Sequence, residues 1–361
     1  MIKRNVKIIT LILLCLIMVF AFAACGSDSQ ESTSSNSGTV TFTDSCGREV
    51  EIPADIERVA PAGAVAQMVM MPLAEDKLVG IANQPSEIET KYVSENLADM
   101  PVFGQFYGSN PNLNKEAILA ADPQLIIDVG DMKSTQKEDM DSIQQQTGLP
   151  VIFIEASLEK FPEAYRTLGE LLGNEEKGEE LAAFIEETLK MASENSGKID
   201  NQKTVFYGGG PEGLDGNAEG SCQADVIDII GAKNALVVDE INHAGGGNPV
   251  NMEELYNMDP DVILTTEGGS YDKIGTSEAW AKLSAVQNGN FYEIPNTPYN
   301  WMSQPPSMNR IIGIWWLGNL VYPDVYDYDM VAKTQEYFKL FYDYNLTKAE
   351  AKELLANSSL K

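Results

Sequence analysis

The chain has 361 residues, of which 43% are apolar and 22% are charged, a composition typical of a large globular protein with a substantial core. Its 54 acidic residues outnumber its 25 basic ones, and the net charge of −29 repels phosphate groups, which excludes nucleic acids and anionic lipid surfaces as partners. The single histidine, His243, excludes His-paired metal centres, Cys/His zinc sites and most Ser-His-Asp catalytic schemes.

The first 24 residues are predicted to be a secretory signal peptide. A basic start precedes an almost wholly apolar run over 8–24, which is too short and wrongly flanked for a stable membrane span. The small residues before Cys25 resemble the lipobox of bacterial lipoproteins, where the signal is removed and that cysteine is lipidated. Residues 25–38 are Ser-rich and predict a flexible tether. We therefore expect a lipoprotein at the outer face of the cytoplasmic membrane; a plain secreted or membrane-spanning protein is the alternative.

Strands and helices alternate from residue 39 onward. A β-hairpin is predicted over 39–53, and the short apolar runs after it indicate buried strands. The strands predicted in the first half are 56–60, 77–81, 125–129 and 151–155, with helices over 63–73, 114–121 and 135–147. A long amphipathic helix without proline is predicted over 175–198. A second alternation comprises 205–207, 223–230, 236–238, 252–258, 262–265 and 291–294, followed by a helix over 311–321.

This alternation predicts an α/β fold with two Rossmann-like lobes of mainly parallel sheets, joined by a single long helix. The predicted boundaries are 39–174 for the N-terminal lobe, 175–200 for the connecting helix and 201–361 for the C-terminal lobe. Ligands bind outside the carboxyl ends of parallel strands, so the ligand cleft is expected between the lobes.

An internal repeat supports two similar lobes. Glu116-Ala-Ile-Leu-Ala-Ala-Asp-Pro123 matches Glu253-Glu-Leu-Tyr-Asn-Met-Asp-Pro260, and in both the proline ends a helix and begins a buried strand. The alternative is a chance similarity between two ordinary helix-to-strand turns.

The order of several segments resembles one family of binding proteins. The opening Phe42-Thr-Asp-Ser-Cys-Gly-Arg-Glu-Val-Glu-Ile-Pro, the run Asp76-Lys-Leu-Val-Gly-Ile and the two Glu…Asp-Pro segments resemble the substrate-binding proteins of iron-complex and vitamin B12 ABC importers. The resemblance covers nearly all of 39–361. It implies small hinge closure about a rigid helix and delivery of a chelated metal to a permease dimer with its ATPase subunits. It also implies a monomer without catalytic residues, cofactor or resident metal.

The resemblance implies that two glutamates contact the permease. In the family, one surface glutamate on each lobe pairs with arginines of the permease, and the matching positions are Glu116 and Glu253. The alternative is that both are solvated acids favoured by the helix dipole. Glu254, beside Glu253, leaves the second assignment open by one residue.

The main candidates for ligand contacts lie in a proline-punctuated loop and the helix after it. Tyr299 and Trp301 offer aromatic faces, Ser303 offers a hydroxyl, and Arg310 offers a guanidinium fork for the oxygens of an anionic chelate. The alternative is that Trp301 belongs to the core and that Arg310 caps its own surroundings.

Further candidates lie where strands lead into helices. Gly63 and Ser221 occupy such loops, where free N–H groups attract anions, and Gln105 and Tyr107 precede the Glu116 helix. His243, in a Gly-rich loop, is either a ligand of iron or simply exposed. No glycine run has the spacing of a nucleotide-binding motif.

The cargo remains open at this stage. A ferric siderophore or other iron complex fits the aromatic loop, molybdate or tungstate fits N–H groups with one cation, and cobalamin or haem are further alternatives. A surface lipoprotein hydrolase is the alternative from a different class, although no serine lies in a Gly-x-Ser-x-Gly elbow. Cys46 and Cys222 could pair if adjacent in space, but two free thiols are expected.

Overall fold

The computed structural model describes residues 38–107, 111–242, 246–266, 268 and 270–359. The predicted signal peptide, Cys25, the tether up to residue 37 and His243 lie outside the described residues, so those predictions stay as they are.

The predicted β-hairpin is confirmed. Strands β1 (Thr39–Thr43) and β2 (Glu49–Pro53) pair antiparallel. Its turn is closed by Asp44, whose Oδ1 accepts hydrogen bonds from the backbone N–H groups of Cys46 and Arg48 at 3.0 and 2.9 Å. The buried Arg48 guanidinium donates to the carbonyl of Val151 at 2.8 Å, which fastens the hairpin to the first lobe.

The first lobe is built on a parallel sheet in the order β3-β4-β5. Its strands are β3 (Val59–Pro61), β4 (Leu125–Gly130) and β5 (Val151–Glu155). The strand predicted over 77–81 is wrong: Glu75–Lys77 form a 3-10 turn, and only isolated bridges at Leu78 and Ile81 reach neighbouring segments. No ladder forms there because each bridge joins a single pair of residues and the two bridges reach different segments.

The second lobe contains a mixed sheet in the order β11-β10-β6-β7-β9, with β8 paired to β6. Its strands are β6 (Thr204–Gly209), β7 (Asp215–Gly216), β8 (Lys233–Asn234), β9 (Asn248–Pro249), β10 (Val262–Thr265) and β11 (Phe291–Glu293). Strands β8, β6, β10 and β11 are parallel, whereas β7 and β9 add antiparallel pairs.

The strand predicted over 236–238 is also wrong. Chain pairing with β6 occurs earlier, at Lys233–Asn234. The Asn234 side chain then accepts from the backbone N–H of Leu236 at 2.9 Å, an Asx turn that bends the chain away and leaves Val237 69% exposed.

The described residues contain thirteen α-helices. They are α1 (Ala64–Ala74), α2 (Glu87–Tyr92), α3 (Lys115–Ala121), α4 (Gln136–Thr147), α5 (Phe161–Leu172), α6 (Glu175–Ser196), α7 (Asp225–Ile229), α8 (Met252–Met258), α9 (Ser270–Thr276), α10 (Ser284–Gln287), α11 (Asn309–Val321), α12 (Met330–Tyr342) and α13 (Lys348–Leu354). Short 3-10 turns also occur at Glu95–Asp99 and Trp280–Lys282. In the described part of the chain, no helix has the length and apolar character needed to cross a membrane.

Helix α6 is the predicted long connecting helix. It packs closely on α5 because Gly169 and Gly178 face each other, and a Cβ on Gly178 would lie 2.7 Å from the carbonyl oxygen of Tyr165. This contact allows the two backbones to approach where a larger side chain would separate them.

The core consists of one central cluster and a smaller cluster in each lobe. In β4, Ile127 faces the central cluster and Ile126 the outer one; in β6, Tyr207 and Phe206 divide in the same way. Both faces of each sheet are therefore buried, as expected for a doubly wound fold. The central cluster includes residues from both sheets and from α6 between them, so the two lobes share one apolar core.

Candidate functional site

Arg310, near the start of α11, joins the two lobes through its guanidinium. The residue is fully buried, and its Nη1 donates to Asp225 Oδ2 at 2.9 Å and to the carbonyl of Cys222 at 3.2 Å. Its Nη2 lies 3.7 Å from Oδ2 of Asp131, which directly follows β4 in the first lobe. Asp225 begins α7 in the second lobe. A single cation therefore pairs with one carboxylate from each lobe.

Burial raises the pKa values of these two carboxylates by more than the neighbouring guanidinium lowers them. Desolvation raises the pKa of Asp225 to about 6, although Arg310 acts in the opposite direction, and Asp131 and Glu159 raise it further. Desolvation likewise raises the pKa of Asp131 above its ordinary value. The Phe161 ring centroid, 6.0 Å from Cζ of Arg310, contributes an apolar wall on the first-lobe side.

Several buried donors around this guanidinium have no hydrogen-bond partner among the described residues. They are Arg310 Nη2 and the hydroxyls of Ser221 and Ser307. The chain places both serines close by, because Ser221 precedes Cys222 and the carbonyl of Ser307 accepts from Arg310 Nε at 3.4 Å. Unpartnered buried donors are costly in a folded protein, so three of them around one guanidinium make this region the candidate binding site.

The aromatic loop before α11 lies inside the protein. Trp301 is 1% exposed and donates from Nε1 to the carbonyl of Thr297 at 3.2 Å, while Ser303 shares a hydrogen bond of 2.7 Å with the hydroxyl of Tyr207. Tyr299 is also buried, with its ring centroid 6.5 Å from that of Tyr342. Contact of Tyr299, Trp301 and Ser303 with a ligand stays a prediction.

The structure brings Gly63 and Gln105 together at the start of α1. Gln105 Oε1 accepts from the backbone N–H of Ala64 at 3.1 Å, and a Cβ on Gly63 would lie 2.5 Å from that oxygen. The glutamine therefore satisfies a helix N–H group that the sequence suggested for anions, and a side chain at position 63 would force this glutamine to shift.

Tyr107 belongs to a buried network that the sequence did not predict. Its hydroxyl donates to Asp128 Oδ2, and Gln136 Nε2 donates to the same oxygen at 2.8 Å and to the Tyr107 hydroxyl at 3.0 Å. Burial raises the pKa of Asp128 to about 6 and that of Tyr107 well above its ordinary value. The signal in the sequence was a lone aspartate within the apolar strand β4.

Replacing Asp128 with asparagine should change how stability depends on pH. The folded-state pKa of Asp128 lies above 3.8, so between about pH 4 and 6 the folded state binds more protons and wild-type stability falls as pH rises. The Asp128→Asn variant does not take up this proton. As the pH rises through this window, the free energy of unfolding of the wild type should therefore fall by roughly 1–3 kcal/mol more than that of the variant. Urea unfolding from pH 4 to 7 measures it, with exposed Asp324→Asn as the control. A difference independent of pH would contradict the assignment.

The two repeated helices have the same design. In α3, Asn114 caps the first turn and Glu116 is the second helical residue; in α8, Asn251 and Glu253 hold the same positions. Each helix ends at an aspartate in the left-handed conformation, with φ of 49° at Asp122 and 39° at Asp259. The repeat read from the sequence therefore corresponds to two helices with the same local structure.

The structure also distinguishes Glu253 from Glu254. Glu254 Oε2 accepts from the backbone N–H of Asn251 at 2.9 Å in a capping box, whereas Glu253, like Glu116, is the second residue of its helix; all three side chains are exposed. Glu253 is thus the residue equivalent to Glu116. Their contact with a permease stays a prediction.

Cys46 and Cys222 are free thiols and do not pair with each other. Burial raises the pKa of both, to about 11 for Cys46. No group of three or more potential metal-ligating side chains occurs among the described residues.

Comparisons with known proteins agree with this architecture. The chain is 24% identical to the uncharacterized ABC transporter substrate-binding lipoprotein YvrC of Bacillus subtilis over 297 residues, which cover 80% of this chain and 87% of that protein. An ABC transporter solute binding protein from Sulfurospirillum deleyianum is 25% identical with a TM-score of 0.81, covering 88% of this chain and 99% of the other.

The molybdate periplasmic binding protein MolA of Haemophilus influenzae, solved with molybdate bound, has the same fold. It is 19% identical with a TM-score of 0.69, and the match covers 85% of this chain and 99% of that protein. The family described as periplasmic binding protein matches residues 59–298, which is more than half of the sequence. The chain therefore belongs to the periplasmic binding protein family and is a two-lobed substrate-binding protein of an ABC transporter.

Proposed function

We propose that this protein captures a metal chelate outside the cytoplasmic membrane and delivers it to an ABC permease dimer with its ATPase subunits. Cys25 carries the lipid anchor, Glu116 and Glu253 contact the permease, and the cargo is a ferric siderophore or related iron complex.

The observation that supports a chelate is the pairing of Arg310. Its guanidinium is buried and already neutralised by Asp131 and Asp225. A small oxyanion that accepts from the unpartnered Nη2 lies beside the Asp131 carboxylate, whose like charge repels it. A chelate is larger and offers both donors and acceptors, so it can bind over the whole group without breaking the pairs.

Molybdate or tungstate is the second candidate. It is favoured by the unpartnered donors Ser221 Oγ, Ser307 Oγ and Arg310 Nη2, because a tetrahedral oxyanion is held by several hydrogen-bond donors together with a cation. MolA, which shares the fold, provides a precedent for that kind of cargo.

Calorimetric titration separates the candidates. All four tryptophans are buried, with Trp280 and Trp315 the most exposed at 3%, so binding heat is a more direct readout than quenching. The protein should be titrated with a ferric trihydroxamate, a ferric tris-catecholate, cobalamin, haem and molybdate. We expect saturable binding of a ferric chelate and no heat from molybdate. Heat from molybdate alone would reject the iron-complex proposal in favour of the second candidate.

A further inference from the structure

The Arg310 guanidinium is buried, whereas the two carboxylates paired with it are partly exposed to solvent. The guanidinium is 0% exposed, whereas the side chains of Asp131 and Asp225 are 31% and 33% exposed. A molecule that reaches this region from solvent therefore meets carboxylates first. The arrangement is the reverse of what an anionic cargo needs.

The charged residues around this group leave its net charge negative. Glu159 acts on both aspartates, Lys133 acts on Asp131 in the opposite direction, and Glu155 is paired with Lys160 at 2.6 Å. Asp228 adds a further negative charge near Asp225. Arg310 and Lys133 are thus outnumbered by carboxylates, and the group has an excess of negative charge.

One hydrogen-bond donor in this group is available to a ligand. Arg310 Nη2 is buried, makes no hydrogen bond and lies 3.7 Å from Asp131 Oδ2, which is too far for a hydrogen bond. It can therefore donate to one acceptor oxygen placed beside that carboxylate. The side chains of Asp131 and Asp225 are partly exposed, so their carboxylates can accept from donors on the same molecule.

We propose that Asp131 and Asp225 determine the charge of the cargo: they select a neutral or cationic metal chelate that offers N–H or ammonium donors beside one acceptor oxygen. This inference rests on the proposed function and restricts the metal chelates that the protein would bind. Polyanionic chelates such as tris-catecholates are rejected, because each would bring like charge against two carboxylates.

One chelate in three charge states tests the inference. A ferric linear trihydroxamate with a free ammonium group is cationic, its acetylated form is neutral, and its succinylated form is anionic. The full-length protein in detergent should be titrated with all three. We expect the cationic and neutral forms to bind more tightly than the anionic form by about tenfold or more. The affinity for the cationic form should also fall as salt is added, because screening weakens charge pairing.

Substitution of the two aspartates provides the second arm. In D131N/D225N, the preference for the cationic over the anionic form should fall by about tenfold, because both carboxylates become neutral amides of similar shape. D324N/D327N removes the same charge at exposed positions away from the group and should keep the wild-type order. If the variant at Asp131 and Asp225 does not fold, the ranking and salt dependence of the wild type decide.

The outcomes are distinguishable. Equal binding of all three forms by the wild type, or tightest binding of the succinylated form, overturns the inference and leaves the proposed function intact. If none of the forms binds while molybdate does, the proposed cargo is wrong and the inference falls with it.

Discussion

Reversing the charge of Glu116 and Glu253 together should abolish uptake and leave affinity for the cargo unchanged. Both residues are exposed at the same position of equivalent helices, and the ion pairs of Arg310 are made with Asp131 and Asp225 instead. A permease dimer can meet two equivalent carboxylates with two equivalent cations, and Glu116→Arg with Glu253→Arg turns both contacts into repulsion. Uptake of the radiolabelled chelate in cells carrying the permease, alongside calorimetric binding to the purified variant, separates docking from capture.

The control for this experiment is the double variant Glu176→Arg and Glu187→Arg. Both glutamates are exposed on the connecting helix α6, so the change in net charge is the same but lies away from α3 and α8. Uptake should continue at the wild-type rate in this control. Continued uptake by the variant at Glu116 and Glu253 would show that these residues do not contact the permease.

Replacing Arg310 with methionine should destabilise the protein by about 2–4 kcal/mol near neutral pH. Among the described residues, Arg310 is the cation that forms ion pairs with both Asp131 and Asp225, and the substitution leaves these two partly buried carboxylates without it. The pKa of Asp225, already about 6, should rise further, so these carboxyls bind protons in the folded state at mildly acidic pH. The loss of stability should therefore be smaller at about pH 5 than at about pH 7.5, as measured by urea unfolding.

Two variants check this explanation. R310M/D131N/D225N removes the unpaired charges along with the cation and should recover most of the stability. Arg166→Met breaks two ion pairs of 2.6 Å with Glu179 and Glu186, but all three side chains are well exposed, so it should cost less than about 1 kcal/mol. If the triple variant is as unstable as R310M, packing of the long side chain, and not its charge, is what stabilises this region.

The sequence predicted those features that depend on neighbouring residues. The long connecting helix, the hairpin and the repeated helix-to-strand turns follow from local periodicity, turn chemistry and the proline after each aspartate. The segments over 77–81 and 236–238 were mistaken for strands because a short apolar run carries no information about whether a partner strand is within reach.

The candidate site could be predicted only in part for the same reason. Arg310 stood out as a lone cation beside an aromatic loop, but its partner Asp225 is 85 residues away in the chain and Asp131 belongs to the other lobe. No pattern within a window of sequence connects them. Trp301 shows a second limit, because an aromatic residue in a proline-rich loop has the same sequence signature whether it is exposed or, as here, buried in the central cluster.

The apolar core shared by the two lobes limits how the molecule can signal that it carries cargo. Opening the lobes widely would expose part of this core at about 2.5 kcal/mol for each 100 Å² of apolar surface, so we expect small rotations. The separation between Glu116 and Glu253 then changes little between the empty and the loaded protein. On the docking that we propose for these glutamates, empty and loaded molecules compete for the same permease, and the two are distinguished only after docking.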